Sequence, residues 1–470
     1  MNSSRVFAKT VRAATAALGL LAAACAPVPE AQRLSDGIDP ITPMAAFDPG
    51  AARPLPPARP NGEMVADLIE LGFFMESGRE IPQFSRFEGP VKLVTRGPMS
   101  AVTERDLDRL LERLRREARI DIARAPGNRV DEGENVITVE FISRRQLRSV
   151  VPAAACFVVP NVGTWDEFTE NRRSPVIDWT RVTRRERVAV FVPADTTQQE
   201  IRDCLHEEIA QGLGPLNDLF RLTDSVFNDD NFQTVLTGFD MLMLRAWYAP
   251  ELEIGMTRAQ VAARLPAILN RLNPRGRRSP GPAPGATPRP WVEAVEAALG
   301  AEGAMAQRRE ASAKALEIAR EQGWTGPRLA LSLMLSARLA GPGDGEAAMA
   351  ALLIASEIYR SRPGGEVHAA HIDMQLAVQA LAAAQYDMVL DLAERARPMA
   401  ERSENGALLA SLGFMRAEAL ARKGREAEAE QLRLDSMAAA RYGFGSQAAA
   451  QARQAEIARL TGAGVRLAQR

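Results

Sequence analysis

Histidine and cysteine are scarce, three of each in 470 residues. His368 and His371 lie far downstream of His206 in a segment of helical pattern, so the first half of the chain cannot assemble a three-histidine zinc site. Net charge is nearly absent as well. With 58 basic against 59 acidic residues the formal charge is -1, and no global field would draw the chain onto nucleic acid. The arginine-rich stretches at 184–188 and 274–280 read as a solvated face and a linker. No P-loop, dinucleotide fingerprint or nucleophile-elbow serine is found. Beyond the first two dozen residues no run is long and apolar enough for a transmembrane helix.

The start of the chain is a targeting signal by its pattern. Arg5, Lys9 and Arg12 precede a short apolar, small-residue run that ends at Cys25, the form of a secretory signal over residues 1–24. Leu21-Ala22-Ala23-Ala24-Cys25 resembles the lipobox of bacterial lipoproteins, which implies cleavage before Cys25 and lipidation of its thiol. Ala26 in the next position implies sorting to the outer membrane, on the periplasmic side. An ordinary signal peptide with an incidental cysteine is the alternative. Residues 25–61 are studded with proline and read as an extended tether. An exported compartment permits Cys156 and Cys204 to pair, closing a loop worth roughly 4 kcal/mol in the chain-entropy model. Two buried, reduced thiols are the other reading.

Two folded units are expected from the length. Residues 62–275 mix helix and strand patterns. Strands are expected at 91–97, 135–143, 156–161 and 186–194, and helices from Met64, over 103–120 with Thr103 as N-cap, at 232–250 and at 257–273. A further helix should be capped by Thr197 with Glu200 and stop at Gly214. Residues 276–290 read as a Pro/Gly/Arg linker, and 291–470 as an all-α array of helix pairs. Leu381 to Ala396 resembles a tetratricopeptide repeat, with a spacing to the next turn nearer forty residues than the usual one. Such an array implies protein partners; a plain helical bundle is the alternative.

The chemistry, if any, lies in the helix after Thr197. Its segment His206-Glu207-Glu208-Ile209-Ala210 begins like the HExxH of zinc peptidases, but Ala210 occupies the second ligand place. A shift by one residue puts Glu207 and Gln211 in the ligand places and Glu208 in the place of the general base. At roughly 100° per residue, His206 falls about 140 to 160° away from Gln211 and Glu208, so it does not share their site. His206 reads instead as a surface or cap residue.

Cys204 to Gly214, followed by Asn217-Asp218 and Ser225 to Asp229, resembles the signature of a bacterial domain-of-unknown-function family, DUF2927. Leu244 to Gln260 resembles its closing helix and turn. The resemblance covers roughly residues 90 to 260 and implies a zincin-like α+β domain. Glu207, Gln211, Asp218 and Asp229 form the candidate ligand set; oxygen ligands suit Ca²⁺ or Mg²⁺ over Zn²⁺. The downstream loop adds further oxygen donors in Asn217, Asp224, Asn228 and Asp230; the alternative is that the Glu pair with its Asn and Asp neighbours only hydrogen-bonds loop backbone and caps helices. The expectation is a lipid-anchored envelope protein with a degenerate zincin-like domain and an interaction domain. The rival is a metal-dependent hydrolase with Glu208 as general base.

Overall fold

The strands follow the alternation of the sequence. In the computed structural model, which describes residues 47, 56–57, 59–152, 154–281, 284–300, 303–341 and 343–468, five strands form one sheet. They are β1 (Val91–Arg96), β2 (Ile122–Arg124), β3 (Asn135–Ile142), β4 (Phe157–Pro160) and β5 (Arg187–Pro193), in the order β2-β1-β3-β5-β4. β1 is parallel to β2 and β3, and β3 to β5, whereas β4 runs antiparallel to β5 at the edge. Period-2 side-chain geometry sends Val188, Val190 and Val192 to one face and Ala189 and Phe191 to the other.

Helices cover both faces. α1 (Asn61–Phe73), α2 (Ala101–Arg113), α3 (Arg144–Val150), α4 (Trp165–Asn171), α5 (Gln198–Leu213), α6 (Gly238–Trp247) and α7 (Arg258–Leu272) complete this unit. Leu107, Leu110 and Leu111 of α2 and Leu205 and Ile209 of α5 share a core with the valines of β5. On the opposite face Phe191 meets Trp165 edge-on at 5.2 Å, with Phe168 beside them.

Two expected helix starts are corrected. The N-cap of α2 is Ser100, whose Oγ accepts from the Thr103 backbone N–H; the Thr103 hydroxyl instead donates to Gln198 Oε1 at 3.0 Å. α6 starts six residues later than its hydrophobic run, because residues before it are taken up by a loop wrapped on Asp240, and Thr237 with Asp240 forms the capping box. The capping box of Thr197 and Glu200 on α5 is present.

The chain divides into two compact units, Pro54–Pro284 and a second built on Gly285–Arg470. The signal peptide, Cys25 and most of the tether lie outside the described residues. The described tether residues are packed, which departs from an extended spacer: Arg59 pairs with Asp67 and with Asp224 (3.0 Å) and stacks over Phe239, and Phe47 lies 5.0 Å from the ring of Tyr442 in the second unit. The linker also starts as part of the first unit. Gly276 fits so closely beneath α1 that an added Cβ would meet Asn61 Oδ1 at 2.0 Å, and the Gly281 N–H donates to Glu63 Oε1.

The second unit is all-α: α8 (Arg289–Leu299), α9 (Met305–Glu321), α10 (Pro327–Arg338), α11 (Gly345–Arg360), α12 (Glu366–Ala382), α13 (Tyr386–Arg402), α14 (Gly406–Arg422), α15 (Glu426–Phe444) and α16 (Gln447–Ala468). Each packs on the next. Alanine fills the contacts (Ala393, Ala396, Ala417 and Ala429 are buried), which allows close helix approach. Three consecutive helices end identically: Ala384, Glu404 and Gly424 adopt left-handed φ of 56°, 53° and 78°, 20 residues apart. After each, the next N–H reaches back to the carbonyl of Ala380, Ala400 or Leu420, the reverse bond of a Schellman cap.

Candidate functional site

α5 is the buried helix on which the candidate site is built. Its start is fixed by the capping box, and its end by an unusual device. Arg185, 2 % exposed, donates to the carbonyls of Gln211 (2.8 Å), Gly212 (2.9 Å) and Gly214 (2.7 Å) and stacks on Trp179. A cation there satisfies orphan carbonyls and complements the negative end of the helix dipole. Burial alone pushes this guanidinium down to about 10. Midway along α5, Cys204 is bonded to Cys156, which joins the helix to the chain just before the edge strand β4.

His206 is not a surface or cap residue: it is 4 % exposed, and its Nδ1 accepts the backbone N–H of Leu236 at 3.0 Å. Burial, with Arg113 and Arg202 nearby, holds it well below the usual histidine range and therefore neutral. Its task is to fix the loop ahead of α6, on the side of the helix away from Glu208, as the wheel requires.

The carboxylates form the other side. Glu208 is 6 % exposed. Burial, with Glu76 close by, pushes it up to about 8. Glu207 is only partly buried, and desolvation followed by Glu208, Asp229, Glu76 and Asp203 raises it well above the carboxylate range. Asp218 accepts from Gln211 Nε2 on Oδ2 at 3.2 Å, while its Oδ1 is buried without a donor. Desolvation, then Glu207, Glu76 and Asp229, raise Asp218 strongly; its approach to Glu76 is hydrogen-bonded only when one of the two carries a proton. Asp229, at a left-handed φ of 55°, and Glu76, in the turn after α1, stand at the exposed rim.

Glu207, Glu208, Gln211, Asp218 and Asp229 thus come together, and Glu76 joins them. Glu76 was missed because it stands 131 residues before Glu207, in a turn that no motif marks. The remaining loop oxygens serve structure. Asn217 donates to the Glu70 carbonyl, Asn228 to the Leu222 carbonyl, Asp230 accepts from the Phe232 N–H, and Asp224 pairs with Arg59. Asp240, fully buried, accepts from Ser225 Oγ and the Val226 and Thr237 N–H groups, and burial pushes it up to about 6. Among the described residues no three His, Cys, Asp or Glu side chains converge closely enough to hold a metal ion.

No helix among the described residues is long and apolar enough to cross a membrane. No curated protein and no solved structure matches the chain. A family model does match: residues 61–267, the α/β stretch, are similar to the family described as a protein of unknown function (DUF2927).

Proposed function

We propose that the protein is a lipid-anchored component of the bacterial envelope, attached through Cys25 at the periplasmic side of the outer membrane. Its helical unit is a tetratricopeptide-like array that binds protein partners, and its α/β unit is a zincin-like scaffold without zinc peptidase chemistry. One observation carries this reading: Glu207 and Gln211 occupy the ligand places of the helix, while His206 faces away and is committed to Leu236. The zincin-like assignment is supported by the helix that follows the last strand and lies beside the antiparallel edge strand β4. The repeat assignment is supported by the matched caps at Ala384, Glu404 and Gly424. Nucleic acid has no place in this reading.

Three measurements test it. Metabolic labelling with a fatty acid should mark the wild-type chain and spare Cys25→Ser, which should leave the membrane fraction. Protein purified from zinc-supplemented medium should carry no stoichiometric zinc. A defined partner should be lost when α8 to α16 are deleted and kept when Glu208 is changed.

A second reading is favoured by Glu208 itself. A buried carboxyl pushed up to about 8 is matched to proton transfer near neutral pH. In that reading Glu208 is the general base of a hydrolase acting on peptide or cell-wall material, and a divalent cation, Ca²⁺ or Mg²⁺ before Zn²⁺, would be held by Glu207, Gln211, Asp218 and Asp229 only after these side chains draw together from their present positions. Glu208→Gln abolishing hydrolysis by a well-folded protein would establish it.

A further inference from the structure

We infer that the face shared by α12 and α14 is a docking groove for an amphipathic helix of a partner protein, and that α16 is a displaceable helix of the chain itself that holds this groove until the partner arrives. This rests on the reading that the helical unit binds protein partners, and it adds where the partner sits and what it must present.

Burial sets α12 and α14 apart from the helix between them. α13 buries a single stripe, Val389, Leu392, Ala393, Ala396 and Ala400. α12 is buried without a break from Leu376 to Ala382, and α14 from Ala410 to Met415, the pattern of helices covered on both sides. On α14, Ala417 and Leu420 pack with Ala429 of α15. At roughly 100° per residue Ser411, Met415 and Glu418 point the other way, and they are buried too. The cover on that side is α16, which packs on α15, along α14 and back to α12. A helix that merely closed the array would pack on its last pair, α14 and α15; α16 passes them to reach α12.

Few side chains make the contact. Ala450, Arg453, Ile457, Leu460 and Thr461 form one buried stripe at steps of three and four residues. At its end the Thr461 hydroxyl accepts from Arg422 at 2.5 Å and lies 3.1 Å from Glu418 Oε1. A partner helix therefore presents small or branched apolar side chains at that spacing, and a hydroxyl or amide for Glu418 and Arg422. α16 fills the groove imperfectly. Arg453 is 8 % exposed, pairs with Glu456 of its own helix, and leaves its Nε buried without an acceptor, which weakens the hold. A partner with an apolar residue at that place avoids the cost. Release of α16 needs rotation only at its joint: α15 is pinned at its end, where a Cβ on Gly443 would lie 2.4 Å from the Ala407 nitrogen, and Gly445 at φ 96° and Ser446 alone join it to α16.

The test is fluorescence anisotropy of a labelled synthetic peptide with the sequence of residues 446–461, titrated with the full chain as wild type and as Ile457→Asp, which ejects α16 from the groove. The peptide is expected to bind Ile457→Asp at one site and at least about tenfold more tightly than the wild type, whose groove is taken. The same peptide carrying Ile457→Asp should bind neither chain. Should the Ile457→Asp chain fail to fold, Leu460→Asp carries the comparison. Equal binding of the peptide to wild type and folded variant, its absence included, or equal binding of the native and Ile457→Asp peptides would overturn the inference. Light scattering on the same samples covers the remaining occupant: a wild-type dimer that Ile457→Asp converts to monomer would give the groove to α16 of a second copy, and would overturn it as well. Partner binding that survives deletion of α8 to α16 would instead remove the reading beneath it, whatever the peptide does.

Discussion

In the helical unit the buried carboxylate Asp373 is held between Arg360 and Arg395, at 2.5 Å and 2.7 Å, and both cations reach solvent. In the α/β unit Glu207, Glu208 and Asp218 are gathered with further carboxylates and raise one another's affinity for protons. The α/β fold does not lack the means to pair such groups, since it pairs Asp67 twice. The carboxylate cluster is therefore local to α5 and its surroundings.

The largest break in this contrast should come from Arg185→Met. Three carbonyls at the end of α5 lose their donor, and the α/β unit should lose on the order of 4 kcal/mol, or roughly 2–4 °C per kcal/mol for a unit of this size. Scanning calorimetry should show that loss in one transition; an equal fall in the helical transition would refute the independence of the units. Next, Cys204→Ser opens the loop closed by Cys156 and should cost roughly 3 kcal/mol, again in the α/β transition alone.

Acid should then separate the units by sign. Glu208 and Asp240 have folded pKa values of about 8 and about 6, above their unfolded values. Each holds its proton more tightly when folded, so their stabilising effect is full below about pH 4 and is lost as pH rises through 6 to 8. His371 is opposite: burial, with His368 and Arg338, pushes it down to about 3. The folded state takes up that proton less readily, so its contribution is present above about pH 6.5 and is lost on further acidification. From pH 8 down to about pH 6.5 the α/β transition should rise while the helical transition holds; below that the buried neutral His206 opposes the rise in the α/β unit as His371 lowers the helical transition, and Glu208→Gln should flatten the first slope. Two transitions moving together would contradict the assignment. The smallest effect sharpens the helical side: Ala384→Gly relieves a left-handed alanine and should raise the helical melting temperature by the equivalent of roughly 0.5–1 kcal/mol.

Strongly periodic elements were legible from the sequence: four of the five strands, α5 with its capping box, and the helices from α9 to α15 all follow from local pattern. Short elements were not. β2 has three residues, and α3 and α4 have seven each, too few to show a period. α8 was hidden by the prolines at its start. At the site, Glu207, Glu208 and Gln211 could be grouped because a single helix fixes their angles. Glu76 reaches them only through the packing of α1 and its turn, and Arg185 caps α5 from 26 residues away. Neither relation leaves a local trace.

The caps at Ala384, Glu404 and Gly424 have an evolutionary consequence. A boundary that repeats every 20 residues returns the chain to the same backbone state, so one helix pair corresponds to a gene segment of about 120 nucleotides that can be copied or excised in frame. Such an event would lengthen or shorten the array without disturbing either neighbouring cap. Array length is thus a trait that selection can change in single genetic steps, while the helix carrying Glu208, locked to Cys156 and Arg185, admits no such increments.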